Sequence, residues 1–393
     1  MKIRPGNIIF LIILFIPFWS WLWWYFSPTY PMNILTLDKT VSTPFRNEHR
    51  SLNWIQTHNK YVKKSDGKLY SNFKDYYGFF PLKPYENKKY WISDLDSLSK
   101  EQIDSMSDAL DMVYYTDLYG VYYNEWYLDS LETEHSPKIY GGMSRTDYLL
   151  LEKMKEKKKL ILTEFNIIAS PTSWVVRRKT EELFNFEWTG WTGRYFNLLD
   201  TLKNPELPRW VIRLYKEQHD GNWPFTKAGI VFVHLDERIA ILEKRTSLDV
   251  EVPFIYTSEY GQKKYDLPKK IHYPYWFDIT FTKNTNKVVS SYKIKPNDVG
   301  DSILTLYGIP TEYPAFIEHD EDDYKFYYFA GDFSDNPITL YSSHFRGIGL
   351  ISRVFYKNAT FNERTKFFWR YYKPVMETII ENYTDERNLF NEK

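Results

Sequence analysis

The sequence predicts an α/β protein whose mostly parallel sheet is interrupted by a β-rich insertion. Short apolar runs, such as residues 160–162, are typical of strands that are buried on both faces. Between such runs, apolar residues recur every three to four positions, as they do on one face of a helix. From residue 229 to residue 308 the pattern changes to short alternating runs separated by turn residues, which indicates antiparallel strands.

The composition excludes several classes of protein. The 393 residues include 51 basic and 51 acidic side chains and no long basic block, so the chain lacks the electrostatic footprint of a nucleic-acid-binding protein. The absence of cysteine excludes disulfides, thiolate metal sites and a cysteine nucleophile. The histidines show no metal-ligand spacing and no full glycine fingerprint is present, so we expect neither a metal nor a cofactor.

An apolar stretch near the N-terminus predicts a membrane anchor. Residues 8–26 contain no charge and one polar residue, Ser20, and their number is close to the roughly 20 residues that cross a bilayer as a helix. Lys2 and Arg4 precede the stretch, which predicts a cytoplasmic N-terminus, a single pass through the cytoplasmic (inner) membrane and a periplasmic body. The alternative is a cleaved signal peptide, but no small-x-small cleavage site follows.

The first predicted strand, residues 33–37, ends at Asp38 and Lys39. The charged residues 48–50 (Glu-His-Arg) follow in a loop, where they form either a wall of a site or a solvated surface. A helix is predicted for residues 52–62, because its apolar positions share one face.

The second predicted strand, residues 111–116, ends at Asp117 and Tyr119. It follows a helix predicted for residues 97–109, whose start resembles a capping box. Both predicted strands therefore carry a carboxylate at the same end.

Residues 138–183 contain a short strand, a Gly141-Gly142 turn, a helix, the strand 160–162 and a second helix. Glu164 comes directly after the strand. In open α/β sheets ligands bind at the carboxyl ends of the strands, so Glu164 is the leading candidate for a site residue.

The rest of the chain completes the predicted α/β unit after the insertion. Residues 313–333 are expected to form two strands around an acidic turn, the second ending near Asp332, and residues 362–383 to form a last helix. The predicted organisation is an anchor at 1–27, the first part of the α/β domain at 32–220, the β-rich insertion at 229–308 and the completion of the domain at 313–383.

Two segments resemble a known superfamily. The segment IYGGMSRTDYLLLEKMKEKKKLILTEF resembles the class I glutamine amidotransferase-like superfamily, and AFIEHDEDDYKFYYFAGDF is similar to the late strand pair of its ThuA-like and β-galactosidase middle-domain branches. The resemblance covers residues 32–200 and 313–383 and implies a flavodoxin-like, amidotransferase-like sheet. Family amidotransferases need a cysteine where this chain has Glu164 or Phe165, so glutamine hydrolysis by that mechanism is excluded.

The strand-end carboxylates are the candidate catalytic groups. Glycoside hydrolysis requires two opposed carboxylates, and Asp38, Asp117 and Glu164 are the candidates for them. Aspartate is also favoured at strand ends for local hydrogen bonding, which is the alternative explanation. The candidate substrate-binding residues are Lys39, Tyr119, Gly141, Gly142, Asn166, Trp191, Arg194 and Asp332.

Two functions follow from these expectations. The first is a membrane-anchored protein that binds or processes a cell-surface polysaccharide by carboxylate acid/base chemistry. The alternative is a non-catalytic scaffold or assembly subunit of a membrane polysaccharide synthesis or export complex, with a membrane glycosyltransferase as partner. Carboxylates clustered in an open pocket favour the enzyme, whereas carboxylates paired with Lys or Arg in a filled crevice favour the scaffold.

Overall fold

The computed structural model describes residues 15–128, 136–355 and 364–391. The helices of these segments are α1 Ile16–Phe26, α2 Arg50–His58, α3 Lys100–Ala109, α4 Tyr123–Tyr127, α5 Arg145–Glu156, α6 Trp174–Phe184, α7 Arg209–Gln218, α8 Glu259–Tyr265, α9 Asp298–Tyr307, α10 Ile348–Phe355, α11 Thr365–Phe367 and α12 Lys373–Asn391. Short 3₁₀ helices span Tyr85–Asn87 and Leu340–His344, and a π-helical turn spans Phe368–Tyr372.

The strands form two main sheets and two small strand pairs. They are β1 Tyr30–Pro31, β2 Ile34–Asp38, β3 Tyr61–Val62, β4 Tyr77–Pro81, β5 Tyr90–Ser93, β6 Met112–Tyr115, β7 Val121–Tyr122, β8 Lys138–Tyr140, β9 Leu160–Thr163, β10 Phe186–Phe196, β11 Gly229–His234, β12 Ile239–Glu243, β13 Leu248–Thr257, β14 Lys270–His272, β15 Trp276–Thr282, β16 Lys287–Pro296, β17 Glu312–Asp320 and β18 Lys325–Phe329.

The larger sheet has ten strands in the order β14-β13-β16-β17-β18-β9-β6-β2-β4-β5. The neighbours from β18 to β4 pair in parallel, and the pairs on either side are antiparallel. Numbered by chain position, the five parallel strands have the order 2-1-3-4-5, which is the flavodoxin-like arrangement. In that arrangement the strand order reverses between β2 and β6, and ligands bind at their carboxyl ends.

The central parallel strands are apolar throughout because both faces of the sheet are covered. The residues of β6 and β9 are fully buried. Helices α3 and α5 pack against each other, and each begins with a capping box in which the N-cap serine accepts from the third backbone N–H. The predicted strands 33–37, 111–116 and 160–162 are thus present, as is the helix predicted at 97–109.

The second sheet is antiparallel and has four strands in the order β12-β11-β10-β15. The strands between residues 229 and 308 are divided between the two sheets, since β13, β14 and β16 extend the larger one. The prediction of strands up to residue 308 is wrong for its last run, residues 303–308, because these residues lie at the end of α9 and its C-cap. The Asn297 side chain caps the first turn of that helix and Gly308 ends it in a left-handed conformation.

The N-terminal helix α1 covers the second half of the predicted anchor, and residues 8–14 of that prediction lie outside the described residues. In the part of the chain that the structure describes, no helix is both long enough and apolar enough to cross a membrane. The end of α1 is attached to the body. The Trp24 indole donates to the Thr57 carbonyl at 3.0 Å, and Ser20 donates to the Arg346 carbonyl at 2.5 Å.

The last helix, predicted at 362–383, both begins and ends later, because α11, a π-helical turn and α12 follow one another over residues 365–391. The π-helical turn precedes α12, and Pro374, the second residue of α12, has no N–H to donate to the preceding turn. Phe368, Tyr372, Val375 and Met376 are all buried, so this segment packs on the body.

Lys39 stabilises the fold at the end of β2. Its side chain is 2% exposed, and Nζ lies 2.6 Å from Asp147 Oδ2 and donates to the Gly142 carbonyl at 3.1 Å. This buried ion pair ties β2 to the start of α5. Lys39, a predicted substrate-binding residue, is therefore committed to a structural contact.

We predict that Lys39→Met destabilises the protein by about 3 to 5 kcal/mol, because it leaves the Asp147 carboxylate buried without its cation. Chemical denaturation measures the change. The matched control is Lys63→Met, since Lys63 pairs with Asp75 near the surface and such pairs contribute about 1 kcal/mol or less. Equal, small losses in the two variants would show that the Lys39–Asp147 pair does not stabilise the fold.

Candidate active site at the carboxyl edge of the sheet

A cavity of about 750 Å³ opens at the carboxyl ends of the parallel strands. Thr40 after β2, Asp117 after β6, Asn166 after β9 and Asp332 after β18 line its inner side. The second sheet and the start of α7 form the opposite wall. The cavity therefore spans the point where the strand order reverses.

Asp117 is the best-placed acid/base group of the cavity. Its Oδ1 accepts from the Tyr119 N–H at 2.7 Å and lies 3.3 Å from the Asn166 amide nitrogen. Burial, with a further contribution from the nearby Asp38 carboxylate, raises the pKa of Asp117 to about 7. A carboxyl group of this kind changes its protonation state near neutral pH, as general acid/base catalysis requires.

Glu164, the leading candidate from the sequence, does not line the cavity. It is completely buried, and its carboxylate accepts from the Tyr114 hydroxyl and from the Ser334 N–H at 3.2 Å. Burial raises the pKa of Glu164 well above its usual range. Because Ser334 lies between Asp332 and Asp335, Glu164 holds the loop that carries these two aspartates.

Asp38 is also occupied by a partner. Its Oδ2 lies 2.5 Å from His49 Nδ1, and its Oδ1 accepts from the Thr40 N–H at 3.1 Å. The second ring nitrogen of His49 lies 2.8 Å from the Asn72 carbonyl oxygen. Asp38 thus fixes the loop that follows β2 and acts on Asp117 through its charge.

The Gly141-Gly142 turn serves close packing between two loops. A Cβ on Gly141 would lie 2.5 Å from the Gly120 Cα, and its φ of 142° is one that favours glycine. The Gly142 N–H donates to the Leu118 carbonyl at 2.7 Å. Neither glycine lines the cavity, which agrees with the alternative of a tight turn.

The two tryptophans of β10 face opposite sides of the second sheet. Trp188, Gly190, Thr192 and Arg194 line the cavity at every second position. Trp191, a predicted substrate-binding residue, is buried instead on the other face of the strand. Arg194 lines the cavity and donates to Glu206 at 2.6 Å.

Five of the sequence-predicted residues therefore meet at one cavity and six do not. Those that line it are Asp117, Tyr119, Asn166, Arg194 and Asp332. Those that do not are Asp38, Lys39, Gly141, Gly142, Glu164 and Trp191.

Other lining residues were not expected from the sequence. Asp335 follows the strand-end Asp332 by three residues, and Tyr275 and Trp276 precede or begin β15. The aromatic pair directly before an alternating strand was the available signal. Glu48, by contrast, belongs to the charged loop at 48–50, for which a wall of a site was one of the two expectations, and it also lines the cavity.

Three of the cavity carboxylates have an oxygen without a hydrogen-bond partner. They are Asp332, through Oδ1, Asp335, through Oδ1, and Glu48, through Oε2. Burial raises the pKa of Asp332 and Glu48 well above the usual range, and neighbouring carboxylates raise it further. Asp335 differs in having a cation nearby, since Arg364 Nη1 lies 3.3 Å from its Oδ1. Within the described segments, no group of three His, Asp or Glu side chains is arranged to hold a metal ion.

We predict that Asp117→Asn stabilises the protein above pH 7. The folded-state pKa of about 7 exceeds the ordinary value of 3.8, so the folded state binds the proton more tightly than the unfolded state. The stability that this proton contributes is complete below pH 4 and is lost as the pH rises to 7. The shift of about 3 pKa units corresponds to about 4 kcal/mol, and we expect a gain of about 1 to 4 kcal/mol at pH 8.

Denaturation at pH 4 and pH 8 tests this expectation, with the exposed Asp249→Asn as the matched control. The gain of the Asp117 variant should disappear at pH 4, and the control should match the wild type at both values. A destabilised Asp117 variant at pH 8 would contradict the raised pKa.

Comparison with solved structures gives distant likenesses. A ThuA-like protein from Bacteroides uniformis is 7% identical, with a TM-score of 0.32 over 78% of this chain and 84% of that chain. A carbohydrate deacetylase is 9% identical, with a TM-score of 0.33 over 80% of this chain and 31% of that chain. No protein-family model matches the chain, nor does any curated protein sequence. The first neighbour belongs to the branch that the sequence resembles, but both relationships are weak.

Proposed function

We propose that this protein is an enzyme that binds a cell-surface polysaccharide in the cavity and cleaves its glycosidic bonds. One observation carries the proposal: Asp117, with a pKa of about 7, opens onto a large concave site at the strand ends. Sites of this volume bury most of a ligand the size of a short oligosaccharide.

Glu48 and Asp117 are the proposed pair of catalytic carboxyl groups. Each lines the cavity, and the charge of Asp117 contributes to the raised pKa of Glu48. Coupled carboxyl groups share protons, so one remains protonated while the other ionises. Glu48, the pKa of which burial raises well above the usual range, donates its proton to the leaving glycosidic oxygen.

Asp117, with a pKa of about 7, ionises near neutral pH and supports attack on the anomeric carbon, as a base towards water or as a nucleophile. Water completes the cleavage: its hydroxyl bonds to the anomeric carbon, and its remaining proton restores the carboxyl pair. Tyr119, Tyr122 and Trp276 provide ring surfaces along the cavity on which a sugar can rest.

We further propose that the protein is anchored in the cytoplasmic membrane by residues 8–26, with its N-terminus in the cytoplasm and the body in the periplasm. The support is the uncharged apolar stretch together with the exposed rings of Trp19, Trp23 and Phe26 on α1. Such a position brings the cavity to the surface where polysaccharides are made or exported.

The scaffold alternative is supported by a different set of contacts. Lys39 pairs with Asp147, Asp38 with His49 and Asp335 with Arg364, as expected for a crevice filled by ion pairs. Asp117, Asp332 and Glu48 have no such cation in contact among the described ion pairs, which favours the enzyme.

The proposed function predicts that Asp117→Asn lowers glycan cleavage by roughly 10²- to 10⁴-fold, the usual contribution of a general acid or base. The full chain in detergent is incubated with a panel of surface polysaccharides, and new reducing ends are measured. The wild-type rate should rise with pH through about 7, as Asp117 ionises.

Two matched variants separate catalysis from folding. Asp249→Asn changes an exposed aspartate and should leave the rate unchanged. Glu164→Gln changes a buried carboxylate outside the cavity and should lower the rate by less than about tenfold. If the wild type cuts no glycan, or if Asp117→Asn cuts as fast as the wild type, the enzymatic proposal fails and the scaffold alternative gains.

A further inference from the structure

The cavity has a marked excess of acidic side chains. Its acidic lining residues are Glu48, Asp117, Glu125, Glu206, Glu237, Asp332 and Asp335. Among the described residues that line it, the basic ones are Arg194 and His234, and each already contacts a carboxylate. Arg194 Nη2 lies 2.6 Å from Glu206, and His234 Nδ1 lies 2.6 Å from Asp236. A ligand that enters this cavity therefore meets more carboxyl groups than cations.

Asp332 is a buried member of this acidic set, and one of its carboxyl oxygens lacks a hydrogen-bond donor. Its side chain is 4% exposed, it lines the cavity, and its Oδ1 has no hydrogen-bond partner. A buried carboxyl oxygen without a donor is costly, so a donor from a ligand would be stabilising. The charges that act on Asp332 are those of Asp335, Asp117, Glu164 and Arg364.

The one cation in that set is engaged by other contacts. Arg364 Nη1 donates to the Asp335 carbonyl at 2.6 Å, and its guanidinium lies 3.8 Å from the centre of the Tyr275 ring. The Asp332–Asp335 loop is held from below by Glu164 through Ser334. The loop that carries Asp332 and Asp335 thus lines the cavity, and Oδ1 of each aspartate lacks a hydrogen-bond donor.

We infer that the glycan bound in this cavity is cationic, an amino sugar with a free ammonium group that Asp332 and Asp335 hold. This inference rests on the proposed function and specifies the substrate class of the same site. An ammonium group donates three hydrogen bonds, and its positive charge favours the ionised form of a carboxyl group whose pKa burial has raised.

The other ligand classes fit the cavity less well. A glycan rich in uronic acids or sulfate would be repelled by the acidic lining. N-acetylation removes the positive charge and leaves the Asp332 oxygen facing a neutral group. A bare metal ion is disfavoured by the size of the cavity, by its aromatic walls and by the lack of a three-ligand group among the described residues.

The test compares matched amino and N-acetylated sugars. Calorimetry on the full chain in detergent at pH 7 and low salt uses glucosamine, galactosamine and a β-1,4-linked glucosamine tetramer as probes, each beside its N-acetylated form. We expect at least one amino probe to bind about tenfold or more tightly than its acetylated partner, with the preference weakened by added salt.

Two variants of the site and one control test whether Asp332 and Asp335 cause the preference for the amino probe. Asp332→Asn should reduce the preference about tenfold, whereas the exposed Asp249→Asn should retain it. Should Asp332→Asn fail to fold, Asp335→Asn is the second variant, and it should weaken binding of the amino probe in the same direction. Circular dichroism checks that each variant folds like the wild type.

The inference is overturned if no amino probe binds, if acetylated and amino probes bind equally, or if Mg²⁺ or Ca²⁺ binds in competition with the amino probe. Its failure is distinct from failure of the proposed function. Cleavage of neutral glycans with no amino preference would refute the inference alone. Preferential binding of the amino probe without any cleavage would refute the hydrolysis alone.

Discussion

Burying carboxyl groups at the end of an apolar sheet is the constraint on which the rest of this structure depends. Each such group must find a donor or a cation, or hold its proton. Asp278 of β15 is a buried carboxylate that is held by three donors. It accepts from the Asn166 N–H at 2.7 Å, from the Thr192 hydroxyl at 2.9 Å and from the Tyr328 hydroxyl at 3.2 Å.

Because Asn166 follows β9 and Tyr328 lies in β18, Asp278 fastens the second sheet to the carboxyl edge of the first. Glu164 performs a similar task for the loop after β18. Carboxylates that are held by several donors therefore build the walls of the cavity, whereas Asp117, Asp332 and Glu48, which have no contacting cation among the described ion pairs, line it. The partners of each carboxylate thus decide whether it stabilises the fold or is available for chemistry in the cavity.

The sequence was sufficient to find where the carboxylates gather. Asp38, Asp117 and Glu164 end or follow apolar strands, and parallel strands bring their carboxyl ends to one edge, so their neighbourhood followed from periodicity alone. Which of them faces the cavity did not follow. That depends on His49, Tyr114 and Ser334, donors that are distant in sequence from the groups they satisfy.

The second sheet was harder to predict for a related reason. Alternating patterns identify strands but not the sheet that each strand joins, since pairing is decided by remote neighbours. The positions of Trp188 and Trp191 illustrate the limit. They lie three residues apart on one strand, so regular alternation places them on opposite faces, but only the fold decides which face is the cavity. At α9, a cap at Asn297 and a left-handed Gly308 outweigh the strand-like residues between them.

The attachment of α1 has a mechanical consequence. Its end is fixed to the body through Ser20, Trp24 and the Lys60 ammonium, which donates to the carbonyls of Tyr25 and Ser27 at 2.9 and 2.6 Å. These hydrogen bonds fix the orientation of α1 relative to the body. If the helix stands in a bilayer, the cavity is held at a fixed height and orientation above the membrane. The cavity would then bind a polysaccharide emerging from that membrane always at the same distance from its point of exit. The attachment of α1, as well as the chemistry of the cavity, would therefore decide which part of the polysaccharide is bound.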